Sequence, residues 1–211
     1  MTDFFVYDQI FPVRRMIIYI IRHAQTVHNK KGKVFSGVSD VLLSENGRLE
    51  AEKCRNFKFL KDVEEIYLSP LRRAGQTADI IFDKKIKRTI VSEFSEMNFG
   101  DYEGRILEED SRDDGVFQKW INDPESLTFP GGDNFRQHAE KAFDAFKRTA
   151  EKSGADVIAV VSHRTTIRLI LTQLLGKPLN TFREIPCDNC SVTRVIYENG
   201  RFRSDEINMK A

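Results

Sequence analysis

Cysteine is scarce in this chain of 211 residues, with three positions, Cys54, Cys187 and Cys190, and so few thiols exclude a disulfide framework. Cys187-Asp188-Asn189-Cys190 has C-x-x-C spacing, but it has no second Cys/His pair to complete a structural zinc site. It also precedes a strand-like segment instead of opening a helix, as a redox motif would, and it reads as a turn. No apolar run approaches the roughly 20 residues of a membrane span. The opening MTDFFVYDQIFPVRRM lacks a basic leader before its aromatics, so no secretory signal is expected. Net charge is only +1, which argues against a general nucleic-acid binder. The expectation is a soluble cytoplasmic protein of ordinary globular composition, with residues 1–15 preceding one domain over 16–211.

Two long unalternating β-branched runs are present, and each ends on a histidine. Met16-Ile17-Ile18-Tyr19-Ile20-Ile21 leads into Arg22-His23-Ala24-Gln25-Thr26, and Val157-Ile158-Ala159-Val160-Val161-Ser162 leads into His163-Arg164-Thr165-Thr166. Such runs read as strands buried on both faces of a parallel sheet, whose carboxyl ends carry chemistry. A helix is predicted from Glu45 to Leu60 behind an N-cap Ser44. A strand is predicted over 63–69, a helix from Pro70 to about Phe82, and a short strand over 86–91. The spacing of Phe135, Ala142, Phe146 and Ala150 predicts an amphipathic helix ended by Gly154, with His138 packed on its apolar face. A further helix runs over 166–175, and Asn199-Gly200 predicts a closing hairpin. Segment 93–130, dense in acids, glycine and aromatics, reads as a cap-like insertion. The fold class is therefore α/β, a three-layer α/β/α sandwich with a mostly parallel central sheet and helices on both faces. The C-terminal strands are expected at a sheet edge, where a second copy could pair to form a homodimer.

The separated blocks Arg22-His23-Ala24-Gln25-Thr26, Ser69-Pro70-Leu71-Arg72-Arg73-Ala74-Gly75-Gln76-Thr77-Ala78, Glu96 to Gly104, Pro130-Gly131-Gly132-Asp133 and Val161-Ser162-His163 resemble, in order, those of the histidine phosphatase superfamily, in its phosphoglycerate mutase-like phosphatase branch. The resemblance implies a phosphomonoesterase acting on a small phosphorylated metabolite, with no metal and no cofactor. By it, His23 is the nucleophile and forms a phosphohistidine, Arg22, Arg72 and His163 make the phosphate pocket, and Glu96 is the proton donor, with Glu93 and Glu103 as rival carboxylates. Asn29, Ser36 and Gly37 match loop contacts to phosphate or substrate. The chemistry agrees with these roles: a phosphomonoester carries nearly two negative charges, so its transfer needs cations on the non-bridging oxygens and a positioned nucleophile.

Other readings stand beside these. A lone strand-end histidine is more often packed or exposed than catalytic, and it is the pairing of His23 with Arg22 and a second strand-end His163 that favours catalysis. Arg73 reads as structural and Arg168 as a surface or ion-pair residue. Arg164 stands where the family usually has glycine, and Arg164 and Thr165 are expected to reach substrate. Phe99, Tyr102, Phe117 and Trp120 read either as a wall of the site or as core. The alternatives in function are a phosphoglycerate mutase-type phosphotransferase and a catalytically silent binding protein on the same fold.

Overall fold

The computed structural model describes residues 14–28, 34–105 and 115–211. Six strands form one sheet: β1 (Arg15–Arg22), β2 (Glu65–Leu68), β3 (Lys87–Ile90), β4 (Val157–Ser162), β5 (Val192–Glu198) and β6 (Arg201–Met209), in the order β3-β2-β4-β1-β5-β6. The first four in that order are mutually parallel, and β5 and β6 add an antiparallel edge. Among the described residues five α-helices accompany them: α1 (Glu45–Cys54), α2 (Arg72–Ile81), α3 (Gly115–Asn122), α4 (Phe135–Lys152) and α5 (Arg164–Leu174).

The apolar run of β1 is explained by its two buried faces. Tyr19 and Ile21 pack toward Ala51 and Cys54 of α1 and Ala74 and Ala78 of α2. Ile18 and Ile20 pack toward Ala142 and Phe146 of α4 and Ile167 and Ile170 of α5. Alternate side chains of a strand face opposite ways, so a strand between two helical layers must be apolar at every position. The three-layer α/β/α sandwich and the mostly parallel sheet are as expected. The cap-like segment supplies a third apolar cluster, in which Phe35, Phe99, Trp120 and Phe129 pack edge to face around Phe135 and Phe182.

Ser44 caps α1 as predicted, its hydroxyl accepting from the Gly47 N–H at 3.0 Å. The helix nevertheless stops at Cys54, and a 3-10 segment follows at Lys58–Asp62. Phe57 and Phe59 stack on each other, and Phe59 stacks on Tyr19, with both pairs 4.8 Å between centroids. Residues two apart cannot share one face of an α-helix, so this packing unwinds the predicted last turn. The Asn199-Gly200 turn has φ of 51° and 77°, the left-handed pair of a tight hairpin, and it joins β5 to β6 as predicted.

Candidate active site

Parallel pairing of β1 with β4 puts Arg22 opposite Ser162, and the His23 N–H donates to the Ser162 carbonyl at 2.9 Å. His23 and His163 therefore leave neighbouring strands side by side, with ring centroids 5.0 Å apart. A cavity of about 420 Å³ opens above this edge, its wall formed by Arg22, His23, Glu96 and Thr165 with Phe99 and Trp120.

His23 is buried, and its Nδ1 lies 2.8 Å from the Ala24 carbonyl. Only a protonated Nδ1 can make that bond, so Nε2 keeps its lone pair. Burial first, and then the Arg73 and Arg22 charges, hold this imidazole well below the ordinary histidine range. The Ala24 N–H donates to Thr77 Oγ1 at 3.0 Å, and Asn189 Nδ2 donates to the His23 carbonyl at 3.1 Å. Ala24 is accommodated in the core, and its φ is not positive.

Arg22 donates through Nη1 to the Cys187 carbonyl at 2.9 Å, while its buried Nε has no protein partner. The Cys187–Cys190 segment is thus a turn that braces the end of β1; all three cysteines are free and buried. Burial, followed by the charge of Arg164, lowers the Arg22 guanidinium to about 10. The Ser36 hydroxyl lines the cavity and is also buried without a partner. Asn29 lies outside the described residues.

The second arginine departs from expectation. Arg72 opens α2 with its side chain 61% exposed and its Nε 3.9 Å from Asp40. One position on, the helix has turned about 100°, and Arg73 points inward, 1% exposed. Arg73 Nε donates to His163 Nδ1 at 3.1 Å, and its two terminal nitrogens donate to the Ser39 carbonyl at 2.8 Å and the Gly37 carbonyl at 2.5 Å. The block holds two adjacent arginines, and the helical turn brings Arg73 to the histidine pair while Arg72 faces solvent.

Because His163 Nδ1 accepts from Arg73, its Nε2–H donates to Ser69 Oγ at 2.7 Å. The ring is wholly buried, and burial followed by the Arg73 charge holds it well below the ordinary histidine range. His163 is not on the cavity wall, and its Nε2–H is committed to Ser69.

Glu96, buried, sits on the N-terminus of α5. Its carboxylate accepts from the Thr165 N–H at 3.0 Å, the Thr166 N–H at 3.2 Å and its neighbour Met97 N–H at 3.1 Å. Two otherwise orphaned helix donors thus fix one acid at the cavity wall. The rival carboxylates are engaged elsewhere. Glu93 pairs with Arg148 at 2.8 Å. Glu103 accepts from the N–H groups of Gly37 and Val38 at 3.1 Å and Ser39 at 3.3 Å. Gly37 is thereby a scaffold residue and not a cavity contact: a Cβ there would lie 2.1 Å from Glu103 Oε1 and the Met97 carbonyl. His138 is not a packing residue but bridges Asp133 (3.3 Å) and Thr166 Oγ1 (3.0 Å), the latter a partner of Glu96.

Arg164 opens α5 in helical conformation, without the strain a positive φ would bring, and its side chain is exposed. Arg168, expected on the surface, is half-buried on the cavity wall and donates through Nε to the Ile185 carbonyl at 2.8 Å. Arg183, which no sequence motif marks, also lines the cavity. Among the described residues no three His, Cys, Asp or Glu side chains gather as a metal site, and no helix is long and apolar enough to cross a membrane.

Known proteins give the family of this arrangement. A candidate phosphoserine phosphatase of Hydrogenobacter thermophilus is 32% identical over 185 residues, covering 86% of this chain and 89% of the relative. Phosphoserine phosphatase 1 of the same organism is 27% identical over 186 residues, covering 87% and 88%. The crystal structure of the alpha-ribazole phosphatase of Shigella flexneri superposes with a TM-score of 0.84 over 93% of this chain and 98% of that one, at 24% identity, a likeness of fold. The pattern of the histidine phosphatase superfamily (branch 1) matches residues 18–210, and the chain belongs to that superfamily.

Proposed function

We propose that this protein is a phosphoric monoester hydrolase that releases phosphate from a small phosphorylated metabolite through a phosphohistidine on His23. The observation that carries the reading is the state of His23: neutral, fixed by the Ala24 carbonyl with Nε2 unprotonated, under the charges of the buried Arg73 and Arg22, and at the wall of a cavity that also presents Glu96. The Nε2 lone pair attacks phosphorus, the bond to the leaving oxygen breaks, and Glu96, entering the step as the carboxylic acid, delivers the proton that oxygen needs and is left as the carboxylate. Water then attacks the phosphohistidine, passes its proton to the Glu96 carboxylate, and the P–N bond breaks to free inorganic phosphate. Arg22 and Arg73 hold the phosphoryl charge, with Arg73 taking the role the sequence assigns to Arg72. Ser36 adds a hydroxyl, and Thr165 holds Glu96 in place through its backbone.

The relatives named for phosphoserine and alpha-ribazole phosphatase activities support hydrolysis of small phosphomonoesters. The three free, buried thiols support a reducing, cytoplasmic setting. The test is phosphate release from a panel of phosphomonoesters in buffer containing a chelator, on the native chain and on His23→Ala. Activity that survives chelation and disappears in the variant is expected. Activity that persists in His23→Ala, or transfer of phosphate between positions of phosphoglycerate with negligible release, contradicts the reading.

A further inference from the structure

The cavity holds more positive charge than one phosphoryl group accounts for. Arg22 on the cavity wall serves the phosphoryl position at His23, and the buried Arg73 behind the wall adds its charge there. Three further arginines, Arg164, Arg168 and Arg183, line the same cavity, whose wall has Glu96 as its one acid among the described residues. Arg164 and Arg168 are four residues apart on α5, so they project from one face of the helix, an arrangement that costs stability for like charges. None of the three pairs with a carboxylate among the described residues, and each keeps most of its donors unused.

Arg183 is held in place instead of roaming. Its guanidinium lies 4.5 Å from the Trp120 ring centroid and 4.5 Å from that of Phe182, and it donates to the Trp120 carbonyl. Arg168 is fixed by its bond to the Ile185 carbonyl. Two guanidinium groups fixed by the protein, with a third exposed beside them, make a preorganised anion site within the catalytic cavity. Glu96 is taken up by the α5 N-terminus, and the unused donors of the cluster face an anion that enters the cavity.

Building on the phosphatase reading, we propose that Arg164, Arg168 and Arg183 bind a second anionic group of the substrate, so that the substrate class is phosphomonoesters whose carbon skeleton also carries a carboxylate or a second phosphate. The phosphoryl group to be cleaved goes to His23 and the second anion to the arginine cluster. Selectivity then arises from a charge the reaction does not alter.

The test measures kcat/KM for two matched pairs, 3-phosphoglycerate against glycerol 1-phosphate and fructose 1,6-bisphosphate against fructose 6-phosphate, with p-nitrophenyl phosphate as reference. In at least one pair the substrate with the additional anion is expected to be better by about 10-fold or more, the worth of one charge-assisted hydrogen bond. The pair that shows it tells carboxylate from phosphate. The preference is expected to shrink by about the same factor in Arg164→Ala and in Arg168→Met. Equal values within both pairs, hydrolysis of the reference alone, or a preference unchanged in the two variants overturns the second-anion site and leaves the phosphatase reading standing. If the folded native chain hydrolyses none of the five, both fall. The comparison within the native chain needs no variant, so a misfolded Arg168→Met does not remove the test.

Discussion

A single step along α2 separates a solvated arginine from a buried one, and the consequences for the two differ accordingly. Arg73 spends three donors on His163, Ser39 and Gly37, and its charge acts on both imidazoles. Arg73→Ala is expected to lower kcat/KM by about 10²–10³, the usual loss when a donor to developing charge is removed. Arg72→Ala, which gives up a loose surface pair with Asp40, should stay within a few-fold of native. Steady-state kinetics on the best substrate decides it, and a larger loss in Arg72→Ala reverses the assignment. This pair also marks a limit of the sequence. Ser-Pro-Leu-Arg-Arg offers two guanidinium groups one residue apart, and only the position at which α2 begins determines which one turns inward. Arg168 and His138 differ from expectation for a related reason: each sits on a helical pattern that leaves its apolar or solvent face ambiguous, and the partner that settles it, Ile185 or Thr166, lies on another element.

At the scale of elements, the two histidine strands were plain in the sequence because burial on both faces leaves a pattern no other element shares. The loops were not, because what holds them is a carboxylate distant in sequence. Glu103 accepts from three successive N–H groups at 37–39 and from Phe99, and the carbonyls of that loop in turn receive Arg73. Residue type alone does not distinguish this structural acid from the one at the cavity wall; only its place in the family's block favours Glu96. Glu103→Ala would leave the half-buried N–H groups of Gly37, Ser39 and Phe99 and the exposed one of Val38 without their acceptor, at a cost of about 1–3 kcal/mol. The expected result is a lower urea midpoint together with a loss of kcat/KM, because Arg73 is no longer held. An unchanged midpoint would show that water replaces the carboxylate without penalty. Deep in the sheet, Ile20→Ala should cost about 3 kcal/mol through the cavity it leaves between β1 and the helices beneath it, with catalysis per folded molecule preserved.

Over the whole molecule, the site places two neutral imidazoles in the interior, and this ties stability to pH. Both are held well below the ordinary value of 6.5 in the folded chain, by burial and then by Arg73, and both return to that value on unfolding. Below about pH 6.5 the unfolded chain therefore binds more protons than the folded one. Unfolding free energy falls as pH drops through this window toward the folded values, with a slope of up to about 1.4 kcal/mol per unit for each imidazole. Above pH 7 the contribution is constant. Urea midpoints at pH 7.5 and 5.5 should differ in the native chain and differ less in His163→Gln; equal losses in the two chains would contradict burial of a neutral His163. The same neutrality keeps the nucleophile competent in mild acid, so the acid limb of kcat/KM should not fall at 6.5.

The central claim is that phosphate passes through His23 Nε2, and the most direct measurement is to quench the native enzyme during turnover and locate the phosphoryl group by mass spectrometry of its peptides. The account predicts an acid-labile, alkali-stable phosphoryl group on the peptide carrying His23, absent in His23→Ala and accumulating when Glu96→Gln slows its hydrolysis. Turnover of the same substrate without any such intermediate, or with the phosphoryl group on another residue, would contradict it.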